Sequence, residues 1–264
     1  MASPPTEPTV RSGRVKQARR LATRAFRTAS GDFLVEGPQA VREALALDGV
    51  VVEVFATADA TERHADLAAA AGDRWTVSPD DVVDLIADAV NPQGVVARCR
   101  SVVVGLDVLP ADVAYVVICA DVRDPGNAGA VIRCADAAGA DAVILTGDSV
   151  DPLNPKAVRA TAGSLFHLPV VVHRDIADVV HRLRDGGLQV LAADGHGDVG
   201  LYDADLDLSV STAWLMGNEA WGLPDAVRGL ADQVVAVPIY GRAESLNLAT
   251  AAAVCLYASA AARH

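Results

Sequence analysis

The chain has 264 residues, of which 52% are hydrophobic, enough to bury a core in one large domain or two smaller ones. No apolar run of about 18 residues or more occurs, and Met1 to Val10 is polar and Pro-rich, so neither a membrane span nor a secretory leader is expected and the protein is read as cytoplasmic. A formal net charge of −12 argues against general attraction to nucleic acid.

The distribution of charge qualifies that exclusion. Between Val10 and Ser30 stand Arg11, Arg14, Lys16, Arg19, Arg20, Arg24 and Arg27 without one acid, which leaves about −19 on the rest of the chain. Residues 1–30 are therefore read as a basic arm whose seven cations contact RNA phosphates, or else as a solvated helix face.

Residues 31–104 form a compact alternation of short strands and helices. Phe33 to Glu36, Val50 to Ala56 and Val95 to Arg98 have strand character. Pro38 opens a helix, Ala58 to Ala71 continues until Gly72 stops it, and Ser78 is placed to cap another ending near Ala89. A linker from Ser101 to Asp112, with Gly105 and Pro110, precedes a second domain at 113–264.

In that domain the strands become continuous apolar runs, as in parallel sheets covered on both faces. They are Ala114 to Ala120, Ala142 to Leu145, Leu168 to Val172, Leu188 to Ala193, Ala213 to Met216 and Val234 to Val237. Helical patterns between them, at Ala128 to Ala138, Ile176 to Arg184 and Ser245 to Ala262, make the fold class α/β with a doubly wound sheet.

Several patterns carry little chemistry. Gly195, Gly197 and Gly200 spell GxGxxG after a strand, but Leu201 to Leu208 does not open an amphipathic helix able to present its N-terminus to pyrophosphate. His167, His173 and His181 lack zinc-ligand spacing, and no metal site is expected. Cys99, Cys119, Cys134 and Cys255 include no CxxC pair, and all but Cys99 lie in core-like surroundings, consistent with reduced structural thiols.

Three clusters at strand ends are more informative, because open α/β sheets place ligands there. Asp121 to Gly139 reads DVRDPGNAGAVIRCADAAG: Asp124, Pro125 and Gly126 make a turn, Asn127 is placed to cap a helix, and Arg133 emerges about two turns in. Leu215 to Pro224, LMGNEAWGLP, sets Asn218 and Glu219 between Gly217 and Gly222 at an apolar strand end. Val237 to Ala253, VPIYGRAESLNLATAAA, ends a strand at Pro238, turns at Gly241, and has Ser245 placed to cap a helix whose first turn carries Asn247.

These clusters resemble the three signature motifs of the SpoU RNA 2'-O-methyltransferases. The first matches through Asp124, Pro125, Gly126, Asn127, Gly129, Arg133 and Gly139, the second through Gly217, Asn218, Glu219, Gly222 and Leu223, and the third through Gly241, Ser245, Leu246 and Asn247. Phe33 to Glu43, FLVEGPQAVRE, is similar to the start of the small RNA-recognition domain that precedes many such catalytic domains.

The resemblance implies a C-terminal parallel-sheet domain with a deep trefoil knot, preceded by a small α/β RNA-recognition domain, in a homodimer. It implies methyl transfer from S-adenosylmethionine to a ribose 2'-hydroxyl of structured RNA, with ribosomal RNA favoured over transfer RNA. Gly217, Val237, Ile239 and Leu246 would surround the cofactor. Arg133 would act on the hydroxyl, with Asn127, Glu219, Ser245 and Asn247 orienting it, the ribose and the cofactor's amino-acid end. A free guanidinium holds its proton too strongly to be a base, so its expected role is to stabilise a developing alkoxide. A catalytically silent RNA-binding protein on the same fold, or another nucleotide-dependent enzyme, are the alternatives.

Overall fold

The computed structural model describes residues 7–264, so residues 1–6 of the expected arm lie outside it. The described chain divides into two compact units, residues 7–102 with 153–166, and residues 103–152 with 167–264.

The first unit begins with α1 (Gly13–Arg20) and α2 (Arg24–Ser30), then runs β1 (Asp32–Glu36), α3 (Pro38–Ala46), β2 (Val51–Ala56), α4 (Ala58–Arg63), α5 (Ala65–Ala71), β3 (Trp75–Val77), α6 (Asp80–Ile86) and β4 (Val95–Arg100). Its sheet has the order β1-β4-β2-β3, with β4 antiparallel to both neighbours and β3 parallel to β2. Two local expectations change. The helix expected over Ala58 to Ala71 breaks at His64, whose φ −123° and ψ 47° are not helical. Ser78 caps nothing, because its hydroxyl donates back to the Thr76 carbonyl, and α6 starts after Pro79.

The basic segment is not a free arm. Val15, Ala18 and Leu21 are buried in one cluster with Leu34, Phe55, Val82, Val83, Ile86 and Val96, so α1 is part of the core. Arg27 is only 4% exposed and donates to the carbonyls of Leu21 (2.8 Å) and Ala22 (3.0 Å), which corrects its reading as a phosphate contact. Those carbonyls lie in the turn between α1 and α2, and the buried guanidinium supplies their donors. Arg14 pairs with Glu53 at 2.6 Å, whereas Arg11, Lys16, Arg19, Arg20 and Arg24 are exposed, with Arg20 lying 4.0 Å over the Phe26 ring.

The second unit runs β5 (Val103–Val104), β6 (Tyr115–Ala120), α7 (Pro125–Ala137) and β7 (Ala142–Thr146). The following α8 (Pro155–Thr161) belongs to the first unit, where Arg159 reaches Glu36 at 3.2 Å and Phe166 stacks on Phe33 at 6.2 Å. The second unit resumes with β8 (Val170–Val172), α9 (Ile176–Asp185), β9 (Gln189–Ala193), β10 (Val199–Gly200), β11 (Thr212–Met216), α10 (Asp225–Arg228), β12 (Gln233–Ala236) and α11 (Leu248–Arg263). Its eight strands are all parallel, in the order β10-β12-β9-β11-β6-β7-β8-β5. The central β6, β7 and β11 are buried throughout, as their continuous apolar runs require.

The glycine-rich stretch after β9 leads to β10 and not to a helix, and a Cβ on Gly197 would meet the Val234 carbonyl oxygen at 2.6 Å. Its glycine serves close approach to β12. Cys99, expected outside the core, is buried on β4. Burial pushes its thiol well up, and those of Cys119 and Cys255 to about 12, which leaves them protonated and inert at neutral pH.

Candidate active site

The site lies at the C-terminal edge of the parallel sheet, where β6, β11 and β12 deliver three loops. The cap of α7 is Asp124, whose carboxylate accepts from the Asn127 N–H at 2.8 Å, with Pro125 in the first turn where a missing N–H is harmless. Asn127, expected as the cap, therefore has its side chain free for longer-range contacts. On α11 the cap is Asn247 in place of Ser245, its Oδ1 accepting from Ala249 N–H at 2.9 Å.

Asn127 and the capping Asn247 join the loops. The Asn247 amide donates to Asn127 Oδ1 at 3.0 Å, and the Asn127 amide donates to Glu219 Oε1 at 3.2 Å. The Glu219 carboxylate also accepts from the backbone N–H groups of Asp124 (3.3 Å) and Arg123 (3.4 Å). Two backbone N–H groups of the turn before α7 and an amide side chain thus hold one anion, which answers why a carboxylate follows an apolar strand.

The Glu219 loop is itself braced. Asn218 and Gly222 exchange backbone hydrogen bonds, both 2.9 Å, and a Cβ on Gly217 would sit 2.5 Å from the Gly222 carbonyl carbon, so Gly217 permits this closure. Asn218, 6% exposed, donates to the Asp121 carbonyl at 2.5 Å and accepts from Ala220 N–H at 2.8 Å. Asp121 has a φ of +54°, uncommon for a residue with a side chain, and sits at the end of β6. Asp121 was not expected in the site, and Asn218 was expected only as a polar residue of the second motif; its use as a brace leaves no local sequence signal.

Arg133 and Ser245 are not drawn into this network. Arg133 is exposed and makes no hydrogen bond or ion pair among the described residues; six residues along α7 from Asn127, it lies about 9 Å up the axis and about 120° around it. Ser245 is exposed in the loop before α11. From Val237 to Leu246 the chain forms no regular element, its backbone groups have no backbone partner among the described residues, and Ile239 and Leu246 are 38% and 37% exposed. Such a strip offers apolar surface beside open N–H and C=O groups. No cluster of three or more metal-ligating side chains occurs among the described residues.

Comparison with known proteins matches this region. The SpoU rRNA Methylase family model covers residues 114–257, and an MRM3-like substrate binding domain covers 13–97. The chain belongs to the SpoU rRNA methylase family. It is 36% identical over 244 residues to the 23S rRNA (guanosine(2553)-2'-O)-methyltransferase RlmP of Bacillus subtilis, spanning 92% of this chain and 94% of that protein. A Sinorhizobium meliloti rRNA methyltransferase solved with AdoMet bound superposes with a TM-score of 0.82 at 33% identity, covering 95% of each chain. The SpoU methyltransferase AviRb from Streptomyces viridochromogenes, in complex with AdoMet, gives 0.82 and 33%, covering 95% of this chain and 98% of that one.

Proposed function

We propose that this SpoU-family chain methylates a ribose 2'-hydroxyl of 23S rRNA with S-adenosylmethionine as donor. The observation that carries the reading is the Asn247–Asn127–Glu219 chain of hydrogen bonds, which binds the three family motifs into one polar site at the sheet edge. The relatives' names, rRNA 2'-O-methyltransferases, supply the substrate class.

The residues fit the donor. The strip 237–246 has backbone groups without a backbone partner among the described residues beside half-open Ile239 and Leu246, suited to a nucleoside read through its edge and packed on its faces, with Gly217 following β11 and Val237 following β12. When bound, S-adenosylmethionine supplies a methyl group on cationic sulfur. Ser245 and the capping Asn247 would orient its amino-acid end, and Asn127 and Glu219 the ribose. Arg133, exposed and without an ion-pair partner among the described residues, would set its guanidinium against the oxygen as its proton leaves, since a guanidinium holds its own proton too strongly to be the base.

The finer organisation follows the same reading. The return of the chain from β12, beyond β9, to pack α11 near β11 and β6, with Trp214 donating to Ser259 and Tyr115 to the Leu256 carbonyl, supports the trefoil knot. A homodimer in the cytoplasm, with exposed Arg11, Lys16, Arg19, Arg20 and Arg24 on RNA phosphates, completes the proposal. Incubating the protein with methyl-labelled donor and purified 23S rRNA or tRNA, then mapping 2'-O-methyl sites, tests it. Label in one 23S position is expected; label in tRNA alone, or none, overturns it.

A further inference from the structure

Three tryptophans occur, and two are ordinary structural residues. Trp214 is fully buried and donates to the Ser259 hydroxyl at 2.8 Å, while the Trp75 indole donates to Thr61 at 3.0 Å. Trp221 differs in each respect. It is 52% exposed, and its indole N–H has no acceptor among the described residues. It stands in the turn closed by the Asn218–Gly222 backbone pair, two residues after Glu219, so its position is set by the brace that holds the polar site. The exposed Arg123 guanidinium lies 5.1 Å from the centre of its ring, and the Arg123 backbone N–H is one of the donors to Glu219.

We infer that Trp221, with Arg123 against it, is a stacking platform for an unpaired base of the substrate RNA, at or beside the nucleotide whose ribose is methylated. An aromatic ring that is half open to water at a hydrogen-bonded turn gains less for folding than a buried one, since about half of its surface stays in solvent. The same ring is well suited to a nucleobase, which stacks on indole and guanidinium planes alike and needs no specific hydrogen bond to do so. A single-stranded or flipped base is the substrate class that fits, because a base inside a duplex has no open face. A protein surface would also cover indole, but the two-residue separation from Glu219 favours the ligand that must enter this site.

The inference rests on the proposed methyl transfer to rRNA, and the tests separate the two. In full-length protein carrying Trp75→Phe, fluorescence reports Trp221 beside the buried Trp214. Oligoadenylate and oligouridylate are expected to quench it, and an abasic ribose-phosphate strand of equal length is not. Trp221→Ala should raise KM for 23S rRNA by about 5- to 150-fold, the size of one lost base stack, with the Kd for S-adenosylmethionine unchanged by calorimetry. Trp221→Phe should recover most of the loss, and Arg123→Gln, which keeps the backbone donor to Glu219, should show a smaller rise. Equal quenching by the abasic strand, an unchanged KM in Trp221→Ala, or a parallel loss of cofactor binding would overturn the platform. If wild-type protein labels no rRNA, the methyl-transfer reading fails, while base-dependent quenching still reports the platform by itself.

Discussion

Asn218 occupies a small place in the site and holds two parts of it. Its amide satisfies the carbonyl of Asp121, a residue already in an unfavourable backbone region, and its oxygen receives the Ala220 N–H. Asn218→Ala should therefore cost about 1–3 kcal/mol in urea denaturation, the penalty for a buried polar group left unmade, and lower methyl transfer through the displaced Glu219. Unchanged stability would show that water replaces the amide without loss. Arg133 makes the opposite prediction, because it is exposed and makes no hydrogen bond or ion pair among the described residues. Arg133→Ala should leave thermal stability and donor affinity near wild type while kcat falls about 10²- to 10³-fold, the loss seen when a charge-stabilising donor is removed. If donor affinity and kcat fell together, its role on the hydroxyl would be wrong.

At the scale of elements, α1 has a buried apolar face and an exposed basic face. Val15, Ala18 and Leu21 anchor it in the core of the first unit, and Arg11, Lys16 and Arg19 remain in water. Removing the whole segment would therefore expose Phe55 and Ile86 and confuse unfolding with reduced RNA affinity. Replacing Arg11, Lys16, Arg19 and Arg24 together by Gln isolates the electrostatic contribution. The slope of log RNA affinity against log salt should flatten by about 0.7–0.9 for each phosphate no longer neutralised, with the urea midpoint nearly unchanged. An unaltered slope refutes phosphate anchoring. Leu21→Ala provides the contrast, with an expected loss of about 2–5 kcal/mol in stability and no change in slope.

For the whole molecule, a net charge of −12 disfavours RNA at long range, so binding must depend on where the cations are presented. Arg27 donates to carbonyls in the α1–α2 turn and Arg14 pairs with Glu53, which leaves five exposed cations of the seven in the basic segment. The proposed dimer would bury further apolar surface on α11, whose inner face carries Ala252, Cys255, Leu256 and Ser259 and whose outer face exposes Tyr257. Light scattering at micromolar concentration should give twice the chain mass, and Tyr257→Glu should shift the protein toward monomer. A wild-type monomer would count against the assembly.

The amino-acid sequence by itself determined the parallel sheet and the small leading α/β fold, because apolar runs, turn residues and helix periods act within a few neighbours. It also determined which residues form the three motifs, through a resemblance that spacing and residue identity carry. Only the tertiary structure decided how those residues are used. Asn127 and Asn247 are 120 positions apart, and Asn127 and Glu219 are 92 apart, so no local pattern announces that they share hydrogen bonds. The same reason moves the caps: once Asp124 and Asn247 satisfy the helix ends, Asn127 and Ser245 are released from that role. Burial of Arg27, and the packing of residues 153–166 with the first unit, depend likewise on which surfaces meet after the chain has folded, and charge and hydropathy along the sequence do not encode that encounter.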